Sequence, residues 1–176
     1  MNKLLLVSIS SAAAVQFNTS SNSTYFAVNW DTSNLALQFN VTLPTSQTLN
    51  LYFGNGTTPS DLVSFFASGT GTVSDRYGTV TSSTADTLNN WTNVLVSRNG
   101  TTSYQFLANR KPTTTDSSGK DTAIPCNQTS TYLWQIMPAN TNGTWSLNLD
   151  ANCNPFVPVP IIKNETLPVP EEEPAA

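Results

Sequence analysis

Histidine occurs nowhere in the 176 residues. Its absence removes the side chain that most often serves as general base or metal ligand near neutral pH. Ser-His-Asp triads, Cys-His dyads and His-bound zinc or haem are excluded with it. Charge is scarce too: 10% of the residues are charged, against roughly 25% in an average soluble domain. Seven scattered Lys and Arg and a net charge of -4 leave no basic stripe, so neither nucleic acid nor an anionic membrane surface finds an electrostatic partner. No apolar run reaches the length of a membrane span, and helical periodicity is nowhere sustained. The acids follow no Asp-x-Asp-x-Asp-Gly pattern. Asp61, Asp75, Asp86, Asp116, Asp121 and Asp150 are dispersed along the chain and read as turn and surface acids. The expectation is a protein that is not an enzyme, with no catalytic residue, no metal ligand and no cofactor.

What the chain has instead is Ser, Thr and Asn, and an address. Residues 1–14 carry Lys3, the apolar run Leu4 to Val7 with Ile9, and Ala12-Ala13-Ala14, an Ala-x-Ala pattern of the kind cut at the end of a secretory signal. An N-terminal β-strand is the competing reading of the same residues. Nine Asn-x-Ser/Thr sequons fit export and N-linked glycans, at Asn18, Asn22, Asn40, Asn55, Asn90, Asn99, Asn127, Asn142 and Asn164, about twice what random placement gives. Three of them, Asn55, Asn99 and Asn142, read Asn-Gly-Thr, and Asn-Gly is also the favoured two-residue hairpin turn, so these sugars are expected on loop tips. The two cysteines, Cys126 and Cys153, suit one disulfide in an oxidising compartment, closing the last hairpin; a free buried pair is the alternative.

Leu35, Leu37, Phe39 and Val41 alternate with Ala36, Gln38, Asn40 and Thr42, a period of two that sends one set to a core and the other to water. Leu49, Leu51 and Phe53 alternate likewise with Thr48, Asn50 and Tyr52, which predicts two consecutive antiparallel strands. Asp61 to Ala67 is a short apolar run. Trp91 to Arg98 and Thr102 to Leu107 flank Asn99-Gly100 as a hairpin. Thr131 to Met137 and Thr144 to Leu149 form another, with Tyr132, Trp134 and Ile136 on one face and Trp145, Leu147 and Leu149 on one face. Short strands, close turn signals and abundant threonine predict an all-β fold: an antiparallel, immunoglobulin-like β-sandwich of about eight strands, with a closed barrel as runner-up. The sandwich is expected over residues 15–153. Residues 154–176, with six prolines and Glu171-Glu172-Glu173, read as an extended Pro-rich tail.

The layout from Tyr25 to Asn152 resembles the DOMON family, the extracellular sandwich domain related to cytochrome domains of secreted oxidoreductases. The resemblance is carried by Tyr52-Phe53-Gly54, Ser60-Asp61-Leu62-Val63, Val73-Ser74-Asp75-Arg76-Tyr77-Gly78, Phe106 to Arg110, the turn from Asp116 to Asp121, and Leu133-Trp134. Haem-binding members of that family hold iron between a Met and a His. Here Thr57-Thr58-Pro59-Ser60 stands where the Met is expected, so the resemblance implies a member without haem ligands, and Met137 reads as core filling.

Function then divides into three expectations. The first is a non-catalytic building block of an extracellular coat, matrix or filament, self-assembling through the apolar ends Leu4 to Ile9 and Phe156 to Ile162 by strand addition. The second is a carbohydrate- or small-ligand-binding module that stacks rings from the pool Trp30, Trp91, Trp134, Trp145, Tyr25, Tyr52, Tyr77, Tyr104 and Tyr132. A redox carrier is the third, on family analogy alone.

Overall fold

The computed structural model describes residues 13–17 as backbone and 24–54, 58–114 and 118–155 in full. Residues 1–12, Asn18, Asn22, Asn55, Asp116, Asn164 and the tail from 156 onward lie outside the described residues. Eleven strands occur among the described residues: β1 (Ala13–Phe17), β2 (Thr24–Asp31), β3 (Ala36–Pro44), β4 (Thr48–Tyr52), β5 (Ser60–Phe66), β6 (Thr72–Gly78), β7 (Ser83–Ala85), β8 (Trp91–Asn99), β9 (Ser103–Arg110), β10 (Gln128–Met137) and β11 (Thr141–Leu149). They form a five-stranded sheet, β1-β2-β3-β9-β8, and a six-stranded sheet, β11-β10-β4-β5-β6-β7. Every ladder is antiparallel. The fold is the expected sandwich rather than a closed barrel. The strand count exceeds eight because β1, β2, β6 and the three-residue β7 add to the seven runs read from alternation.

Period two fixes which side chains enter the core. Phe26 and Val28 of β2, and Leu37, Phe39, Val41 and Leu43 of β3, face Leu49 and Leu51 of β4 and Val63 and Phe65 of β5, all in one buried cluster. Phe39 sits at its centre, edge-on to Trp91 at 5.0 Å and to Trp145 at 6.3 Å between ring centroids, the geometry aromatic quadrupoles favour. In β10 and β11 the expected inward set is the observed one, with Tyr132, Trp134, Ile136, Trp145, Leu147 and Leu149 all buried.

Three local expectations are corrected. The strands at 36–44 and 48–52 do not pair with each other: β3 pairs β2 and β9, whereas β4 pairs β5 and β10 in the opposite sheet. Alternation reports the face a strand presents to the core, and two strands on opposite sides of one core present it equally well. Ser46, with φ of 69°, turns the chain across. Leu35 is 65% exposed rather than inward. It lies in the β2–β3 turn with φ of 48°, where Asp31 Oδ1 accepts hydrogen bonds from the backbone N–H groups of Ser33 (2.9 Å) and Asn34 (3.2 Å). Asn142-Gly143 is not a turn but part of β11, opposite Gln135 and Trp134; the chain reverses at residues 138–140, where Asn140 takes φ of 51°. Gly143 instead makes room for a ring, since a Cβ there would stand 2.8 Å from Trp134 Cζ2. The Asn99-Gly100 hairpin, by contrast, forms as expected, with Asn99 opposite Ser103.

Cys126 and Cys153 are joined in a disulfide, Cα to Cα 4.8 Å. It closes the base of the β10–β11 hairpin, where the Asn127 N–H donates to Asp150 O (2.9 Å) and Gln128 pairs with Leu149. Leu149 also bridges Pro155, so ordered pairing runs two residues past the expected domain end. The bond fits an oxidising compartment.

Candidate functional site

The alternation that builds the core also carries charge into it. In β5 the inward phase of Val63 and Phe65 continues to Asp61; in β6 that of Val73 continues to Asp75; in β9 that of Tyr104, Phe106 and Ala108 continues to Arg110. Asp61 pairs with Tyr77, and Val63 with Asp75, so the two acids are diagonal neighbours on one sheet face. The β9–β10 connection adds Asp121. Relative exposures are 1% for Asp61, 4% for Asp75, 9% for Asp121 and 1% for Arg110. The expectation of surface acids is therefore corrected for these three: residues dispersed in sequence converge between the sheets.

Arg110 reaches across from the five-stranded sheet. Its Nη2 donates to Asp61 Oδ2 and to Thr122 O (2.8 Å), and the Thr122 N–H donates to the same Asp61 oxygen at 2.8 Å. The guanidinium lies over the Phe53 ring at 4.3 Å and near Trp91 at 5.7 Å. Asp75 Oδ2 accepts the Asn90 N–H at 2.8 Å. Asn90 Nδ2 donates to Asp121 Oδ2, and Thr114 Oγ1 donates to that oxygen at 3.4 Å. Asp61 Oδ1 and Asp75 Oδ1 are buried with no hydrogen-bond partner. Burial, reinforced by the negative charges of Asp61 and Asp121 and opposed by the Asn90 N–H and Arg110, pushes the Asp75 carboxyl up to about 6.

Asp61, Asp75 and Asp121 each bring a carboxylate oxygen within 4.8 Å of the other two. No other set of three His, Cys, Asp or Glu side chains among the described residues comes together in this way. A cavity of about 330 Å³, lined by Asn89, Asn90, Thr92, Arg110, Lys111, Thr113 and Thr114, opens beside the cluster. The signal in the sequence was phase rather than spacing: an acid or arginine two residues along from a run of inward side chains.

The sequons separate by environment. Asn99, Asn127 and Asn142 are exposed, and Asn40 is half-buried on the outer face of β3. Asn90 is half-buried, with the nitrogen that would carry a sugar committed to Asp121. Of the nine aromatic side chains considered for stacking, Trp91, Trp134, Trp145, Tyr52, Tyr104 and Tyr132 are buried, leaving Tyr25, Trp30 and Tyr77 partly exposed. Tyr52 keeps its outward phase but is covered, and its hydroxyl donates to Gln135 Oε1 at 3.0 Å. Haem held in the DOMON manner does not fit these residues: the sequence has no histidine, and Met137, expected to fill the core, is instead 38% exposed at the end of β10. No helix of the described residues is long and apolar enough to cross a membrane. No protein-family model matches the chain, and no curated protein matches it in sequence.

Proposed function

We propose that this chain is a non-catalytic structural module of an extracellular coat, matrix or filament, secreted and N-glycosylated, whose copies join by exchanging an edge strand. The observation that carries the reading is β1. It is the outermost strand of the five-stranded sheet, and its ladder runs along β2 alone, from Ala13 opposite Val28 to Phe17 opposite Thr24; Ala13 and Ala14 are in this reading kept as strand rather than cut away with a signal. An edge strand held on one side is readily exchanged, because the same ladder forms whether the strand comes from its own chain or a neighbour's. Successive exchange in one direction yields an open filament. The disulfide and the exposed sequons support an extracellular setting, and kinship with DOMON sandwiches, minus their haem chemistry, belongs to the same reading. The burial of six of the nine rings gives a sugar-stacking function less support.

The register supplies the test. Cysteines introduced at Gln16 and Tyr25, which are opposite each other, crosslink within one chain if β1 stays home and between chains if it is exchanged. The expected result for full-length secreted protein is a ladder of covalent oligomers on a non-reducing gel, with filaments in negative-stain micrographs of the unsubstituted protein. Monomeric crosslinked product and strictly monomeric native protein refute the reading.

A further inference from the structure

We propose that Asp61, Asp75 and Asp121 together hold one calcium ion between β5, β6 and the β9–β10 connection. Distance permits it: the three carboxylate oxygens lie within 4.8 Å of one another, and oxygens sharing one calcium at about 2.4 Å can stand no further apart than about 4.8 Å. Unmet valence asks for it. Asp61 Oδ1 and Asp75 Oδ1 are buried without any donor, although buried acceptors are almost always satisfied.

Charge asks for it as well. Among the described residues the charged ones less than a tenth exposed are Asp61, Asp75, Asp121 and Arg110; the Asp86 side chain is covered too, but it faces Lys120 at 3.8 Å, so three carboxylates around one guanidinium leave an excess of negative charge in an interior where such charge is costly. A divalent cation cancels that excess. The donors are all oxygen, since histidine is absent from the sequence and both cysteines are in the disulfide, and an all-oxygen set selects a hard ion over zinc or copper. The neighbouring cavity of about 330 Å³, which shares Asn90, Arg110 and Thr114 with the cluster's surroundings, admits the ion and the waters that complete its shell. None of this depends on strand exchange, so the two proposals stand or fall separately.

The experiment uses the full-length protein stripped with EDTA and then titrated with calcium chloride. One ion per chain is expected by calorimetry. Calcium at 10 mM is expected to raise Tm by about 5 °C, taking a Kd in the range of extracellular calcium modules. Terbium is expected to luminesce when excited through Trp91, beside the cluster, and calcium to displace it. Asp75→Asn and Asp121→Asn are expected to lose the Tm shift and to weaken terbium binding at least tenfold, whereas Asp31→Asn, at the end of β2, keeps both responses. Absence of calcium binding to the stripped protein overturns the proposal, as does a calcium response equal in the wild type and both triad variants. Should neither triad variant fold, the calorimetric stoichiometry and terbium displacement on the wild type decide: one displaceable ion supports the site, and none refutes it.

Discussion

Replacing Asp75 by Asn is expected to stabilise the metal-free protein at pH 7.5 and to make little difference, about 0.5 kcal/mol, at pH 4. The Asp75 carboxyl is held at about 6 against an ordinary 3.8, so its folded-state value is the raised one. Between those two values the folded chain keeps a proton that the unfolded chain has released, and stability falls as pH rises through the window. Above pH 6 the full penalty applies. It is at most about 3 kcal/mol, since each tenfold change in proton affinity between the folded and unfolded chain corresponds to roughly 1.4 kcal/mol. Asparagine is the same size, can accept the Asn90 N–H through its side-chain oxygen, and has no charge to bury. The variant should therefore be more stable by about 1–3 kcal/mol at pH 7.5, about 2–12 °C in Tm for a chain of this size.

The assay is urea unfolding in EDTA at both pH values, followed by tryptophan fluorescence. The difference between variant and wild type is the quantity that matters, because Asp61, Asp121 and Arg110 face the same carboxyl and contribute to both proteins. Adding calcium should reverse the sign, making the wild type the more stable, because the ion now uses the charge that asparagine lacks. A variant less stable than the wild type at pH 7.5 in EDTA refutes the view that Asp75 is an uncompensated buried charge.

Other substitutions test the neighbouring links. Arg110→Met should cost about 3–5 kcal/mol by leaving Asp61 buried without its partner, and adding Asp61→Asn should restore part of that loss in a double-mutant cycle. Replacing Cys126 and Cys153 together by Ser should cost about 3–4 kcal/mol in the chain-entropy account, given the 27-residue separation they span, measured by denaturant unfolding. Gly143→Ala should cost about 1–3 kcal/mol by overpacking, because the added Cβ forces the Trp134 ring aside, with a change in tryptophan emission. Glycopeptide mapping of secreted protein should find sugar at Asn99, Asn127 and Asn142 and none at Asn90; an occupied Asn90 contradicts the contact drawn from its Nδ2 to Asp121.

The sandwich was legible because period two is a direct image of a sheet with one buried face, and the runs at 36–43, 49–53 and 145–149 carry it almost without interruption. Partnership was not legible. Phe39 and Leu51 look like neighbours on a hairpin, yet they enter the one core from different sheets, since alternation encodes a side and not a ladder. The hairpin at Asn99-Gly100 was readable because its turn chemistry is local. Asn142-Gly143 has the same two residues and failed, because what Trp134 needs opposite it is the missing Cβ and not the turn. The acid cluster was half written in the sequence. Asp61, Asp75 and Arg110 each extend an inward phase, but Asp121 belongs to a connection with no period, and only the folded chain brings it to the other three.

The cluster is a concentration of charge in a chain that has little. Among seven cationic and eleven acidic side chains, one Arg and three Asp occupy a single buried spot, where an apolar set of similar volume would commonly be at least as stable. Part of that arrangement is explained by architecture. Asp61 and Arg110 belong to opposite sheets, so their pairing fixes how β5 and β9 sit across the core, a specificity that hydrophobic contacts alone leave looser. Asp75 and Asp121 are not needed for that. Each is anchored through a bond to Asn90, which holds the two carboxylates side by side and facing Asp61 rather than apart. A proton on Asp75 lowers the cost of that arrangement but leaves Asp61 Oδ1 without a donor. A calcium ion supplies the missing charge and the missing partner together, which makes the ion the simpler account of why these two acids point inward.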